Sequence, residues 1–201
     1  MGNKKLFIDI GGVLMTNGWD TPSRQAAALK FNYNFDEFES KHRLSFSTYE
    51  LGRLTLDQYL DIVLFYVERP FSRDDFKKFM YVQSKPYTDM IDLIHTFKIK
   101  HSLPVIAISN EGKELIEYRI NSAKLERAID FFIISGLVDR SKPDPEIYVL
   151  AASLAHAKPQ ESAYIDDRQS FVDIAKGLGF HAFRHQQVAA TRKWLEDWIS
   201  S

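Results

Sequence analysis

The apolar positions divide the chain into two regimes. From about residue 88 onward, short apolar runs alternate with stretches of helical period. The runs at 104–109, 131–134, 162–165 and 181–184 read as strands, and an earlier run, Phe7-Ile8, leads into Asp9. Between and after them, 90–100, 112–121, 145–155, 169–178 and 188–199 read as helices. In the first of these Met90, Leu93, Ile94 and Phe97 share one face. Pro145 suits a first helical turn, and Gly179 suits a helix end. Alternation of this kind predicts an α/β fold, a parallel sheet with helices on both faces.

Residues 17–86 carry a different pattern. Helix-like stretches at 23–31, 36–44, 56–67 and 73–82 follow one another with no clear strand. Pro22 can open the first, and Thr55 and Ser72 can cap the third and fourth. The region is expected to be a helical cap domain inserted after the first strand, the core comprising 1–16 and 87–201. The alternative is that these helices form part of the core's outer layer.

Composition narrows the field. A chain of 201 residues suits one core domain with a substantial insertion. The formal net charge of -1 argues against a broad nucleic-acid footprint. With no cysteine, disulfides, zinc thiolates and thiol catalysis are excluded. No apolar run approaches the roughly 20 residues needed to span a bilayer. The first residues, Met1-Gly2-Asn3-Lys4-Lys5, leave no room for a signal peptide, so a cytoplasmic protein without nucleic-acid or membrane partners is expected. Trp194 and Trp198 in the closing helix read as a face packed on the core rather than a dimer contact, which implies a monomer or a weak homodimer.

Four segments carry the candidate chemistry. They are Phe7-Ile8-Asp9-Ile10-Gly11-Gly12-Val13-Leu14, Ile108-Ser109-Asn110, Ser141-Lys142-Pro143-Asp144-Pro145 and Tyr164-Ile165-Asp166-Asp167. Three of them end strands, and strand C-terminal ends in an open parallel sheet converge on one ligand crevice. An aspartate, a serine, a lysine and a carboxylate pair meeting there make a phosphate and metal site. Read singly, each residue has an ordinary alternative. Asp9 could merely end a strand, Ser109 could cap a helix, Lys142 could be a solvated loop lysine, and Asp166-Asp167 could be a surface turn.

Taken in order, the four segments resemble the motifs of the haloacid dehalogenase superfamily, most of whose members are phosphatases. The segment Gly52-Arg53-Leu54-Thr55-Leu56 and the run Ile165-Asp166-Asp167-Arg168 … Gly177-Leu178-Gly179-Phe180 look most like the phosphatases related to epoxide hydrolase N-terminal domains. The resemblance implies a Rossmann-like core and a magnesium-dependent phosphatase acting on a small phosphorylated metabolite, such as a sugar phosphate. By the same pattern Asp9 is the nucleophile that forms an aspartyl-phosphate. Ser109, Asn110 and Lys142 hold the phosphoryl group, and Lys142 also offsets charge at the reacting centre. Mg2+ is held by Asp9, Asp167 and the backbone carbonyl of Gly11, with Asp166 in support. A cluster of three carboxylates also needs a cation on general grounds.

The sequence departs from that pattern at position 11. The family's phosphatases normally place there an aspartate that protonates the leaving group and later activates water, and glycine does neither. Some members resembling hexose-1-phosphate phosphatases also have glycine at this position, so the change need not abolish activity. Phe171 is a second departure, at a place where related phosphatases often carry asparagine. Three functions therefore stay open: a phosphatase with another proton source, a catalytically weak phosphate-binding or regulatory protein, and a 2-haloacid dehalogenase, whose halide needs no proton. Polar residues of the cap region that could supply the proton or contact substrate are Asp20, His42, Arg43, Glu50 and Arg53.

Overall fold

The computed structural model describes residues 4–201; Met1, Gly2 and Asn3, the start of the stretch read as too short for a signal peptide, lie outside the described residues. Five strands form one parallel sheet: β1 (Leu6–Ile8), β2 (Val105–Ser109), β3 (Phe131–Ile134), β4 (Ala163–Asp166) and β5 (His181–Arg184), in the order β3-β2-β1-β4-β5. Every pairing is parallel, with Ile8 beside Ala107 on one side and Ile165 on the other. The order reverses at β1, whose neighbours lead away in opposite directions. A crevice opens at such a switch point, outside the strand C-termini.

Both faces of the sheet are covered, which is why the central strands β1, β2 and β4 are buried along their whole length rather than alternating, while the edge strand β5, His181-Ala182-Phe183-Arg184, is exposed at both ends. Leu6, Ile8, Val105, Ala107, Ala163 and Ile165 face helices α5 (Thr88–His101) and α10 (Val188–Ser200). Met90, Leu93, Ile94 and Phe97 all lie in that layer, as their spacing predicts, and Trp198 is buried there with Trp194 packed beside it. Phe7, Ile106, Ile108 and Tyr164 face the other way, against α8 (Pro145–Leu154) and α9 (Gln169–Gly177). Helix α6 (Lys113–Ala123) follows β2, and a single turn, α7 (Ser135–Val138), follows β3.

The region between β1 and α5 is built from α1 (Thr21–Phe31), α2 (Phe35–Glu50), α3 (Leu56–Val63) and α4 (Arg73–Val82). These helices share their own cluster of buried residues, including Trp19, Phe38, Tyr49, Tyr59, Leu60, Phe76 and Met80. Leu115 of α6 joins that cluster from the other side. The chain leaves and returns at one place: Thr16 N–H donates to Lys85 O at 2.9 Å, and Lys85 N–H donates to Thr16 Oγ1 at 3.0 Å.

Local signals explain most boundaries. Thr55 and Gln58 form a reciprocal capping box, Ser72 caps α4 through Asp75 N–H, and Pro22 lies in the first turn of α1. Helix α2 runs six residues past the 44 expected from the pattern. Its last turns are rich in serine, threonine and aromatics, poor helix formers, but Tyr49 is fully buried and packing outweighs propensity. Helix α3 ends at Val63 rather than 67. The apolar run Leu64-Phe65 continues beyond it, while the backbone at Leu64 leaves the helical region. Among the described residues no helix is long and apolar enough to cross a membrane.

Candidate active site

Adjacent parallel strands lie about 4.8 Å apart, so residues at their C-terminal ends are brought within reach of one another. Asp9 follows β1, Ser109 ends β2 and Asp166 ends β4. Lys142 enters from the loop before α8. Its ammonium is 3.0 Å from Asp9 Oδ1 and 2.7 Å from Asp166 Oδ2, at 3% exposure. Burial alone would lower its pKa, but the two carboxylates outweigh that and hold it above the ordinary value. Lys142 is therefore a fixed, permanent cation, not a solvated loop lysine.

The loop is clamped from β2. Asn110 donates its side-chain amide to Lys142 O at 2.7 Å and accepts from Lys142 N–H at 2.8 Å. Asp144 caps α8, accepting from Glu146 N–H. Ser109 is buried beside Asp9 and hydrogen-bonds its carboxylate. It does not cap α6, which begins at Lys113 after Gly112, so Ser109 and Asn110 precede the helix by several residues rather than opening it.

The carboxylates divide by commitment. Asp166 is fully buried: Oδ2 accepts from Lys142 and from Tyr164 Oη at 2.5 Å, and Oδ1 accepts from Arg168 N–H at 2.9 Å. Asp9 Oδ1 accepts from Ile10 N–H and from Lys142. Asp167 Oδ1 is buried with no hydrogen-bond partner. Asp9, Asp166 and Asp167 each offer an oxygen within 4.8 Å of the others. Burial, then the charge of Asp9 and Asp166, pushes the Asp167 carboxyl up to about 6. Burial likewise raises Asp9, with Lys142 pulling it back. Three acids face one lysine, and the unpartnered oxygen of Asp167 marks where a cation is needed. Gly12, at φ +76, makes this approach possible, because a Cβ there would fall on the Asp167 carboxylate.

A profile described as "Haloacid dehalogenase-like hydrolase" matches residues 24–184. The chain belongs to that family. Its relatives include a D-ribitol-5-phosphate phosphatase of Bacteroides thetaiotaomicron, 23% identical over 199 residues and 96% of each chain. An (S)-2-haloacid dehalogenase of Burkholderia cepacia is 23% identical over 191 residues, 89% of this chain and 78% of its own. Among solved structures, a haloacid dehalogenase family enzyme from Bacteroides thetaiotaomicron, in complex with magnesium and inorganic phosphate, superposes with a TM-score of 0.79. It is 23% identical and covers 92% of this chain and 95% of its own. The sheet order and helical layers are thus those of a haloacid dehalogenase-like hydrolase.

In this hydrolase the space beside Gly11 is not vacant. A Cβ at position 11 would lie 3.0 Å from Asn17 Oδ1, 3.7 Å from Arg119 Nη1 and 3.8 Å from Glu111 Oε1. Arg119 is fully buried, paired with Glu111 through Nη1, donating from Nε to Ser84 Oγ at 3.1 Å and from Nη2 to Thr16 O at 2.7 Å. Burial pushes the Glu111 carboxyl up to about 7, against the pull of Arg119. The sequence reading missed both residues. Glu111 was signalled only by its place after Ser109-Asn110, and Arg119 by nothing beyond a helix position.

A cleft of about 310 Å³ opens above Asp9, with Ser109, Lys142, Gly11, Glu111 and Phe171 on the core side and Trp19, Asp20, Arg24, Phe46 and Glu50 opposite. The Phe171 ring lies 4.9 Å from the Lys142 ammonium, so this departure packs directly against the site. The five polar candidates separate clearly. Asp20 lines the cleft but caps α1, accepting from Ser23 N–H and Oγ. His42 is buried away from the cleft, bonded through Nδ1 to Tyr59 Oη at 2.8 Å. Arg43 lies beside Glu39 with most of its side chain exposed, and Arg53 pairs with Asp139 at the surface. Glu50 lines the cleft with no hydrogen bond or ion pair to its carboxyl among the described residues.

Proposed function

We propose that this hydrolase is a magnesium-dependent phosphatase of a small phosphorylated metabolite, with a sugar or polyol phosphate as the substrate class. The observation that carries the reading is the surplus of negative charge: three carboxylates against one lysine, with one carboxylate oxygen buried and unpartnered. Two oxygen donors and a backbone carbonyl suit a hard divalent ion that keeps waters and meets a phosphate. Asp9, Asp167 and the Gly11 carbonyl would hold Mg2+, which supplies charge stabilisation to the phosphoryl oxygens. Asp166, with both oxygens committed to Lys142, Tyr164 and Arg168, orients the lysine and the loop. The name of the phosphatase relative and the magnesium and phosphate in the solved neighbour support the same substrate chemistry.

In this reading a carboxylate oxygen of Asp9 attacks phosphorus, and the electron pair of the breaking P–O bond stays on the leaving oxygen. Ser109 and Lys142 hold the phosphoryl oxygens. Asn110, whose amide is taken by the Lys142 backbone, contributes by fixing that loop. Water then hydrolyses the aspartyl-phosphate. Residues 17–86 act as a cap closing the cleft, which excludes water and selects the leaving group.

The glycine at position 11 favours a second reading, a catalytically weak phosphate-binding protein. A dehalogenase, the third, gains nothing from a surplus of carboxylates. Release of phosphate from a panel of sugar and polyol phosphates, with magnesium and with EDTA, tests all three. Magnesium-dependent turnover supports the phosphatase; phosphate binding without turnover supports the second reading; metal-free halide release from 2-haloacids supports the third.

A further inference from the structure

The reaction just described needs a proton at the leaving oxygen and a base for water, and Gly11 supplies neither. We propose that the Glu50 side chain is that proton donor and acceptor, reaching the reacting centre from the last residue of α2. This rests on the phosphatase reading.

Four acids line the cleft, Asp9, Asp20, Glu50 and Glu111, and three are committed elsewhere. Asp9 is locked to Lys142 and Ile10, Asp20 caps α1, and Glu111 is paired with the fully buried Arg119. Glu50 alone of these has a side chain without a hydrogen bond or ion pair among the described residues. Its backbone is nonetheless fixed, because Glu50 O accepts from Ser135 Oγ at 2.7 Å. A free carboxyl on an anchored backbone is what proton transfer requires.

Its surroundings favour the protonated form near neutrality. The groups that act on it are Glu111 and Asp9, which oppose ionisation, and Arg168 and Lys142, which promote it. Burial is the largest influence, and together they push the carboxyl up to about 8. Glu50 also sits at a helix C-terminus, where the dipole disfavours an anion. The ionised forms of Glu111 and Asp9 place negative charge near Glu50, which adds to the effect of burial.

The balance is complete. As the P–O bond breaks, the Glu50 proton passes to the leaving oxygen, giving the alcohol and a Glu50 carboxylate. That carboxylate takes a proton from water as its oxygen attacks the phosphorus of phospho-Asp9. The acyl-phosphate P–O bond then breaks, which frees inorganic phosphate and restores the Asp9 carboxylate and the Glu50 acid.

The test compares Glu50→Gln and Glu50→Asp with the wild type on ribitol 5-phosphate and on p-nitrophenyl phosphate, with magnesium. Glu50→Gln should lose about 10²–10⁴-fold in kcat/KM on the polyol phosphate. It should lose far less in the single-turnover release of p-nitrophenol, whose anion leaves unaided. Glu50→Asp, which keeps an acid on a shorter arm, should recover part of the loss. Wild-type kcat/KM on the polyol phosphate should fall as pH rises through about 8, a limb that Glu50→Gln lacks. Equal losses on both esters, or none, overturn the proposal. Infrared spectra read the acid without substrate: the wild type should show a protonated carboxyl at pH 7 that Glu50→Gln lacks, and no such difference overturns the proposal while leaving the phosphatase reading intact. A wild type that frees phosphate from neither ester overturns both.

Discussion

Removing the Lys142 charge should both stop the chemistry and destabilise the fold, by an amount that depends on pH. In Lys142→Met the ammonium that lies 3.0 Å from Asp9 and 2.7 Å from Asp166 is lost, and three carboxylates stay together without a counter-ion. At an effective dielectric of about 20, each contact is worth roughly 5–6 kcal/mol in gross attraction, before desolvation of either partner is counted. Breaking a buried pair from one side costs about 3–5 kcal/mol net. In a chain of this size that corresponds to a fall of roughly 6–20 °C in Tm. The sign of the pH effect follows from Asp9. Its folded pKa already lies above the ordinary value, and loss of Lys142 raises it further. A raised folded pKa contributes stability at low pH that is lost as pH rises through it. The gap between variant and wild type should therefore be widest at neutral pH and above, and shrink toward pH 4. Thermal melts of both proteins in EDTA across that range read it directly. A gap that is constant with pH, or one that widens in acid, would refute the charge argument and leave only lost packing against Phe171.

The remaining predictions are simpler. Asp9→Asn should lose all turnover yet keep the fold, since an amide forms no acyl-phosphate; wild-type activity in this variant would remove Asp9 from the reaction. Asp167→Asn should weaken magnesium binding at least tenfold by isothermal titration, because it replaces one of the oxygens that lacks a partner; unchanged affinity would place the metal elsewhere. Gly11→Asp should not restore an efficient acid, because its side chain would enter space already lined by Asn17, Glu111 and Arg119; a large gain on alkyl phosphates would contradict that. Burial lowers His42 from its ordinary 6.5 to about 4, so the folded state resists protonation and stability should fall as pH drops through that interval. His42→Asn should flatten the fall in denaturant melts, and an unchanged slope would put the titration elsewhere.

The sheet was legible because its strands are short and four of them are predominantly apolar, while β5, with exposed His181 and Arg184 at its ends, is marked by its place between two helices; all five lie where the pattern puts them. The ends of α2 and α3 were less so. Packing of Tyr49 extends one helix through poor helix formers, and the backbone turns away within an apolar run at the other. The acid cluster and Lys142 could be read because each sits at a strand end or before a helix, so topology alone brings them together. Glu111 and Arg119 could not, because an ion pair across a loop and a helix leaves no periodic trace. The same holds for the proton source. Asp20, His42 and Glu50 are equivalent as letters, and only a helix cap, a buried Tyr59 partner and an open cleft distinguish them.

The central claim is a phosphoryl group carried on Asp9, and borohydride trapping tests it most directly. Protein turning over a polyol phosphate with magnesium is quenched with borohydride, which reduces an acyl-phosphate to an alcohol, and the peptides are sequenced by mass spectrometry. The account predicts that Asp9 alone is converted to homoserine, only when ester and magnesium are both present, and not in Asp9→Asn. Phosphate release at the wild-type rate with Asp9 unmodified, or with another residue reduced in its place, would contradict it.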